Sequence, residues 1–318
     1  MIDRQGRRGT RKQRSAFESA LGLKTEKETP TYSPTLTYSP MQTEPPTSFD
    51  TKAFSVTTYE YMISDWYLKE RAVLDGLYNA FGGIGWYEKK TDNHCWYIAV
   101  KFNGIGTITS LELDGVGAKG PILGEIMGLK SLEYLNLRDN QLTGPILVEI
   151  GSVTKLEILV LGDNQLTGTI PVEIERLTKL QYLWLDRNRL NRSINEVETL
   201  TNLLEISVKE NMLSGPLPYL GNMTSLTAFN LTNNRFMGKV SNDLFDHPLL
   251  KRLELSSNSL ESIDFQYNNT STLDYLNLAH NKIKWEIPTS FCDKLHNLEY
   301  LNLSHNKIRS ELPTCFFD

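Results

Sequence analysis

The chain has 318 residues, 40% hydrophobic and 22% charged, with a formal net charge of −5. That is enough apolar material to bury a sizeable core. No run of about 18 apolar residues occurs, so no transmembrane helix is encoded. Three cysteines, Cys95, Cys292 and Cys315, are too few for a disulfide framework.

Residues 1–24 read as a basic disordered tail. Arg4, Arg7, Arg8, Arg11, Lys12 and Arg14 stand there against the single acid Asp3 among the first fourteen residues. The rest of the chain therefore carries a net charge of about −10, which argues against a nucleic-acid surface on it. The tail lacks the apolar segment of a secretory signal. A nuclear address, a membrane-surface patch and a bland terminus are all compatible with it, the last being the expectation. Residues 25–60 shift to Pro, Thr and Ser, with Thr31-Tyr32-Ser33-Pro34 nearly duplicated at Thr37-Tyr38-Ser39-Pro40. So little apolar surface cannot offset the entropy of ordering, which predicts an extended linker.

Residues 61–106 read as a cap. Leu68, Ala72, Val73, Leu74, Leu77, Tyr78 and Phe81 recur at helical spacing, and Gly82-Gly83 stops the helix. Gly85-Trp86, Cys95-Trp96-Tyr97 and Gly106-Thr107-Ile108 then lead into residues 107–318. There the pattern Leu-x-Leu-x-x-Asn-x-Leu recurs nine times. Its Asn falls at 140, 164, 188, 211, 234, 258, 281 and 306, with Val116 in its place in the first copy. The spacing of 23 to 25 residues predicts a solenoid whose copies bury their apolar stripes against one another. Each Leu-x-Leu suits a short strand with Leu inward, giving a curved parallel sheet of about nine strands. The Asn amide is expected to pair with backbone of adjacent turns, a structural role. Gly120, Gly144, Gly168, Gly215 and Gly238 mark turns. Ile170-Pro171, Leu217-Pro218, Ile287-Pro288 and Leu312-Pro313 predict extended or irregular backbone after them.

In these residues the chain resembles the plant-type leucine-rich-repeat family, over roughly two thirds of its length. The resemblance implies an α/β leucine-rich-repeat solenoid with a helical N-terminal cap. Arg192, Ser262, Trp285 and Ser310 depart from it by replacing the turn Gly. The cap of that family often reads helix, Gly-Gly, Trp, then Cys-Trp-x-Gly-Val-x-Cys. Here Ile98 and Ala99 replace Gly-Val and Lys101 stands at the second Cys, so that cap disulfide cannot form. No polar closing cap follows Asn306. Either Cys315-Phe316-Phe317 make a minimal cover or the sequence belongs to a longer protein, and the second is the expectation.

Chemical motifs are few. Gly115-Val116-Gly117-Ala118-Lys119-Gly120 matches a dinucleotide fingerprint, but Pro121-Ile122-Leu123 follows where a helix would have to open. His280 and His305 share one repeat position, which predicts two solvated side chains rather than a metal site. Cys292 and Cys315 lie on neighbouring turns at offset positions. A bond is open to them, but two buried thiols are expected. No catalytic constellation, cofactor site or metal site is read, and the chain is expected not to be an enzyme.

The outward register positions carry the functional reading. Tyr134, Arg138, Ile158, Val160, Tyr182, Trp184, Asp186 and Arg187 group aromatic, apolar and Arg side chains on one rigid sheet, the usual hot-spot chemistry. They predict a protein or peptide ligand. Asn-x-Ser/Thr sequons stand at Asn191, Asn222, Asn230, Asn268, Asn269 and Asn302, the third and last of them on outward sheet positions. The expectation is a receptor-like recognition module binding through its concave face. An intracellular scaffold or regulator is one alternative, and the sensing fragment of a receptor kinase another. The resemblance implies a membrane-associated or extracellular place. Without a signal or a membrane span a cytoplasmic one stays open, and membrane attachment would need a further segment.

Overall fold

A computed structural model describes residues 70, 72–77, 79, 100–103, 107–266 and 270–309. The tail, the linker, the aromatic and cysteine part of the cap, Asn268, Asn269 and Cys315 lie outside the described residues.

The repeats stack as expected. Nine parallel strands, from Ile108–Glu112 through Tyr182–Trp184 to Tyr300–Asn302, form the inner sheet. A tenth, Val100–Phe102, pairs antiparallel with the first of them. It occupies the edge of the sheet, where unpaired backbone would otherwise be exposed. Residues 72–77 are helical. Their Leu74 and Leu77 are buried, and the Glu70 carboxylate accepts the Ile108 N–H at 2.6 Å. The cap is thereby tied to the first repeat.

The core is a set of columns, one residue per turn. Leu111, Leu135, Leu159, Leu183, Ile206, Phe229, Leu253, Leu276 and Leu301 make the first, all buried. Each such side chain contributes about 1.5–3 kcal/mol, but only with its neighbours in place. The segment after the Asn is more regular than its Gly and Pro suggested. A second, seven-stranded sheet runs from Lys119–Pro121 to Ser259–Ile263, ordered by the same stacking.

The Asn ladder explains how each turn closes. Asn188 Oδ1 accepts the Leu166 N–H at 2.9 Å, while its Nδ2 donates to the carbonyls of Leu161, Leu185 and Asp186. The residue just before each Asn has positive φ, from Asp139 (51°) and Arg187 (50°) to His305 (55°). L-residues disfavour that conformation, and the Asn side-chain bonds hold it. Asn188→Ala is expected to lower unfolding free energy by about 2–4 kcal/mol, because buried backbone groups lose their partner. Urea denaturation would read this directly.

The Gly replacements are not equivalent. Arg192 sits at φ 70° in the turn where its counterparts use Gly, whereas Ser262 and Trp285 are not among the positive-φ residues. Near them Lys294, fully buried on the side away from the inner sheet, spans two repeats. Its Nζ donates to Asn242 Oδ1 at 3.0 Å, to Asp246 Oδ1 at 2.5 Å and to the Gln266 carbonyl. It also lies 5.1 Å from the centre of the Phe265 ring, which packs against Phe245, Trp285 and Phe291.

Cys292 corrects the expectation of two thiols: it is disulfide-bonded, and its partner lies outside the described residues.

Candidate recognition surface on the inner sheet

Parallel pairing lays equivalent residues of successive repeats side by side, about 4.8 Å apart. One row runs Tyr134, Ile158, Tyr182, Glu205, Ala228, Arg252, Tyr275, Tyr300. The next runs Asn136, Val160, Trp184, Ser207, Asn230, Glu254. Tyr134, Ile158, Tyr182 and Trp184 are half-buried on the open face, as their register requires. Val160 is not available for contact, being only 3% exposed. It is the short side chain in a row where Asn136 and Trp184 flank it and cover it.

Tyr182 and Trp184 form one aromatic unit, with ring centroids 5.5 Å apart and planes tilted by 59°. The Trp184 Nε1 is buried without a hydrogen bond of normal geometry. The Glu205 carboxylate nevertheless lies near enough for the indole to favour its charged form. Beside this pair the two predicted arginines are tied down. Asp163 takes Arg138 Nε at 2.9 Å on one oxygen and Arg187 Nη1 at 2.9 Å on the other. Arg187 continues to Glu210 at 3.5 Å, which also meets Lys209 at 3.2 Å. Exposed pairs like these contribute little stability each, but they fix side chains in place.

Asp186 points back into the sheet. It accepts the Ser207 hydroxyl at 2.5 Å and the Lys209 N–H at 2.8 Å. Burial pushes its carboxyl up despite those two bonds. Burial likewise raises Glu205 and Glu254, and Glu205 also feels the charges of Asp186 and Glu254. Glu205, Lys209, Arg252 and Glu254 escaped the sequence reading. Glu205 and Arg252 share the outward row of Tyr182, and Glu254 that of Trp184; in the repeat of Glu205 and Lys209, Ile206-Ser207-Val208 dilutes the leucine pattern.

These raised carboxyls have a defined pH signature. A folded-state value above the unfolded one means the native state holds the proton more tightly. Their contribution is then fully present below the unfolded carboxylate range and is lost as pH rises through the folded values. Asp186→Asn keeps an acceptor for Ser207 and Lys209 but removes the buried charge. It is expected to raise stability at neutral pH by on the order of 1 kcal/mol, and to leave it unchanged in acid. Thermal denaturation of both proteins across pH would show the curves converge in acid.

Towards the last described repeats the rows become ladders. Tyr275 and Tyr300 stack at 4.2 Å, with Arg252 4.6 Å over the Tyr275 ring. Burial and the Glu254 charge push the Tyr275 phenol well up. His280 and His305 stack at 4.1 Å on the exposed rim. No group of three or more metal-ligating side chains occurs among the described residues. The glycine motif is turn backbone: Gly115, Gly117 and Gly120 all have positive φ, and Gly120 lies in the strand Lys119–Pro121.

Models of the leucine-rich repeat match residues 131–153, 155–177, 248–308 and 271–318. No curated protein sequence matches the chain. Among solved structures, the Arabidopsis thaliana receptor-kinase ectodomain GASSHO1/SCHENGEN3, crystallised with CASPARIAN STRIP INTEGRITY FACTOR 2, is 31% identical with a TM-score of 0.63. The match covers 71% of this chain and 30% of that one. A plant ice-binding protein is 24% identical with a TM-score of 0.64, covering 77% of this chain and 89% of that one. The PEPR1–AtPEP1 structure is 23% identical with a TM-score of 0.58, covering 76% and 42%. The chain thus spans less than a third of the first of these ectodomains. With the stacked parallel sheet and the Asn ladder, these matches make the chain a plant-type leucine-rich-repeat protein.

Proposed function

We propose that the chain is a recognition module, not a catalyst, and that its inner sheet between Tyr134 and Glu254 binds a peptide or protein segment. The observation that carries this is the Tyr182–Trp184 pair, half-buried on a rigid sheet beside three carboxylates that burial disfavours. Groups held against their own solvation are a mark of functional surfaces. A cationic side chain of the ligand seated near Glu205 and Glu254 would offset that cost. The ectodomain crystallised with CASPARIAN STRIP INTEGRITY FACTOR 2 supports the reading. The disulfide at Cys292 favours an oxidising compartment, and with it the receptor-like reading over the alternative of an intracellular scaffold.

Hydrogen-exchange mapping of the full chain with pooled synthetic peptides, basic and acidic, tests this. Protection from a basic peptide is expected on the strands from Tyr134–Asn136 to Arg252–Glu254. Protection confined to the second sheet, or none from any pool, would remove the assignment.

A further inference from the structure

Six sequons are present, and the fold sorts the four that it describes. Asn230 and Asn302 stand in the inner sheet, half-buried, with their amides already engaged. Asn230 Oδ1 accepts the Thr232 N–H at 3.0 Å. Asn302 Oδ1 accepts the Ser304 N–H at 3.1 Å and hydroxyl at 2.7 Å, and its Nδ2 donates to the Tyr300 hydroxyl at 3.4 Å. A sugar on either would crowd strands packed about 4.8 Å to each side. Asn191 is half-buried in the second sheet, where its strand neighbour is Met212.

Asn222 differs in every respect. It is exposed, it lies in the turn after Gly221, and its side chain makes no hydrogen bond among the described residues. The turn itself is pinned: the Tyr219 N–H donates to Glu198 Oε1 at 3.0 Å and the Leu220 N–H to Asp243 Oδ2 at 3.3 Å. Tyr219 is 56% exposed, and its ring lies so close over Gly221 that a Cβ there would overlap it. The hydroxyl end of the Tyr219 ring is thus held against Gly221, one residue before Asn222, and the exposed remainder of the ring is open to the apolar face of a first sugar. That contact would also cover one of the few large exposed aromatic side chains.

We propose that Asn222, in the sequon Asn222-Met223-Thr224, carries an N-linked glycan whose first sugar packs on Tyr219, and that Asn230 and Asn302 stay unmodified so that the inner sheet is clear. In the transfer, Asn222 Nδ2 attacks the anomeric carbon of a lipid-pyrophosphate-linked oligosaccharide. The C–N bond forms, the C–O bond to pyrophosphate breaks, and the amide proton leaves with the lipid pyrophosphate. Nothing is oxidised or reduced. The disulfide at Cys292 independently points to an oxidising compartment, the kind in which this transfer takes place.

The test is glycopeptide mass spectrometry on the full-length protein from its native source. The peptide containing Asn222 should be occupied, and those containing Asn230 and Asn302 bare. Enzymatic removal of the glycan should lower Tm in the wild type by a few degrees and leave a Tyr219→Ala variant, secreted from eukaryotic cells, unchanged. An unmodified Asn222, or glycan on Asn230 or Asn302, overturns the proposal. An equal loss of Tm in Y219A overturns the packing on Tyr219.

Discussion

Lys294→Met is expected to lower unfolding free energy by about 3–5 kcal/mol, the largest single-site loss of stability foreseen for this chain. The ammonium is fully buried and its three acceptors come from Asn242, Asp246 and Gln266. Removing it leaves the Asp246 carboxylate, itself largely buried, without its counter-ion. The Met side chain keeps most of the packing against Phe265, so the loss reports electrostatics and not a cavity. Replacing both ends, Lys294→Met with Asp246→Leu, should recover a good part of it, since an uncompensated charge is worse than none. Chemical denaturation gives the total, and hydrogen exchange should show opening concentrated in the repeats from Asn242 onward. A single variant within about 0.5 kcal/mol of the wild type would mean that water reaches the site.

Why should a solenoid place a lysine there at all? In most of the earlier repeats a short 3-10 helix covers the outer side, as at Val172–Arg176 and Asn242–Leu244, though not between Gly215 and Ala228. No such helix lies among the described residues between Ile263 and Ser271. Lys294, from the short helix Phe291–Lys294 of the next turn, reaches across that gap to the turn before it. The repeat pattern does not foretell this, because the bond joins residues 48 apart, two periods of the repeat.

What the sequence made legible follows the same logic. The inward columns were readable because each needs only one type of residue recurring at one spacing. Val160 was misjudged because its exposure is set by Asn136 and Trp184 beside it and not by its own register. The positive-φ position escaped notice because Asp, Arg, Glu, Ser and His all fill it; the Asn next to them imposes the conformation. The second sheet was hidden because Gly and Pro argue locally against strands, whereas stacking supplies the backbone partners. Glu205 was legible in principle by counting register through the diluted repeat, and Arg252 and Glu254 directly from the regular repeat around Leu253.

Tyr182→Ala combined with Trp184→Ala should leave the solenoid folded and weaken partner binding by several kcal/mol, a loss of a hundred-fold or more. Both rings rest on the open face of a strand in which Leu183 alone is fully buried. Truncating them therefore removes contact area without opening a void inside, and stability should change by no more than about 1 kcal/mol. Each ring also braces the other at 5.5 Å, so the single variants should sum to more than the double. Titration calorimetry of both proteins reads the affinity directly. Full affinity in the double variant would move the binding surface elsewhere on the solenoid.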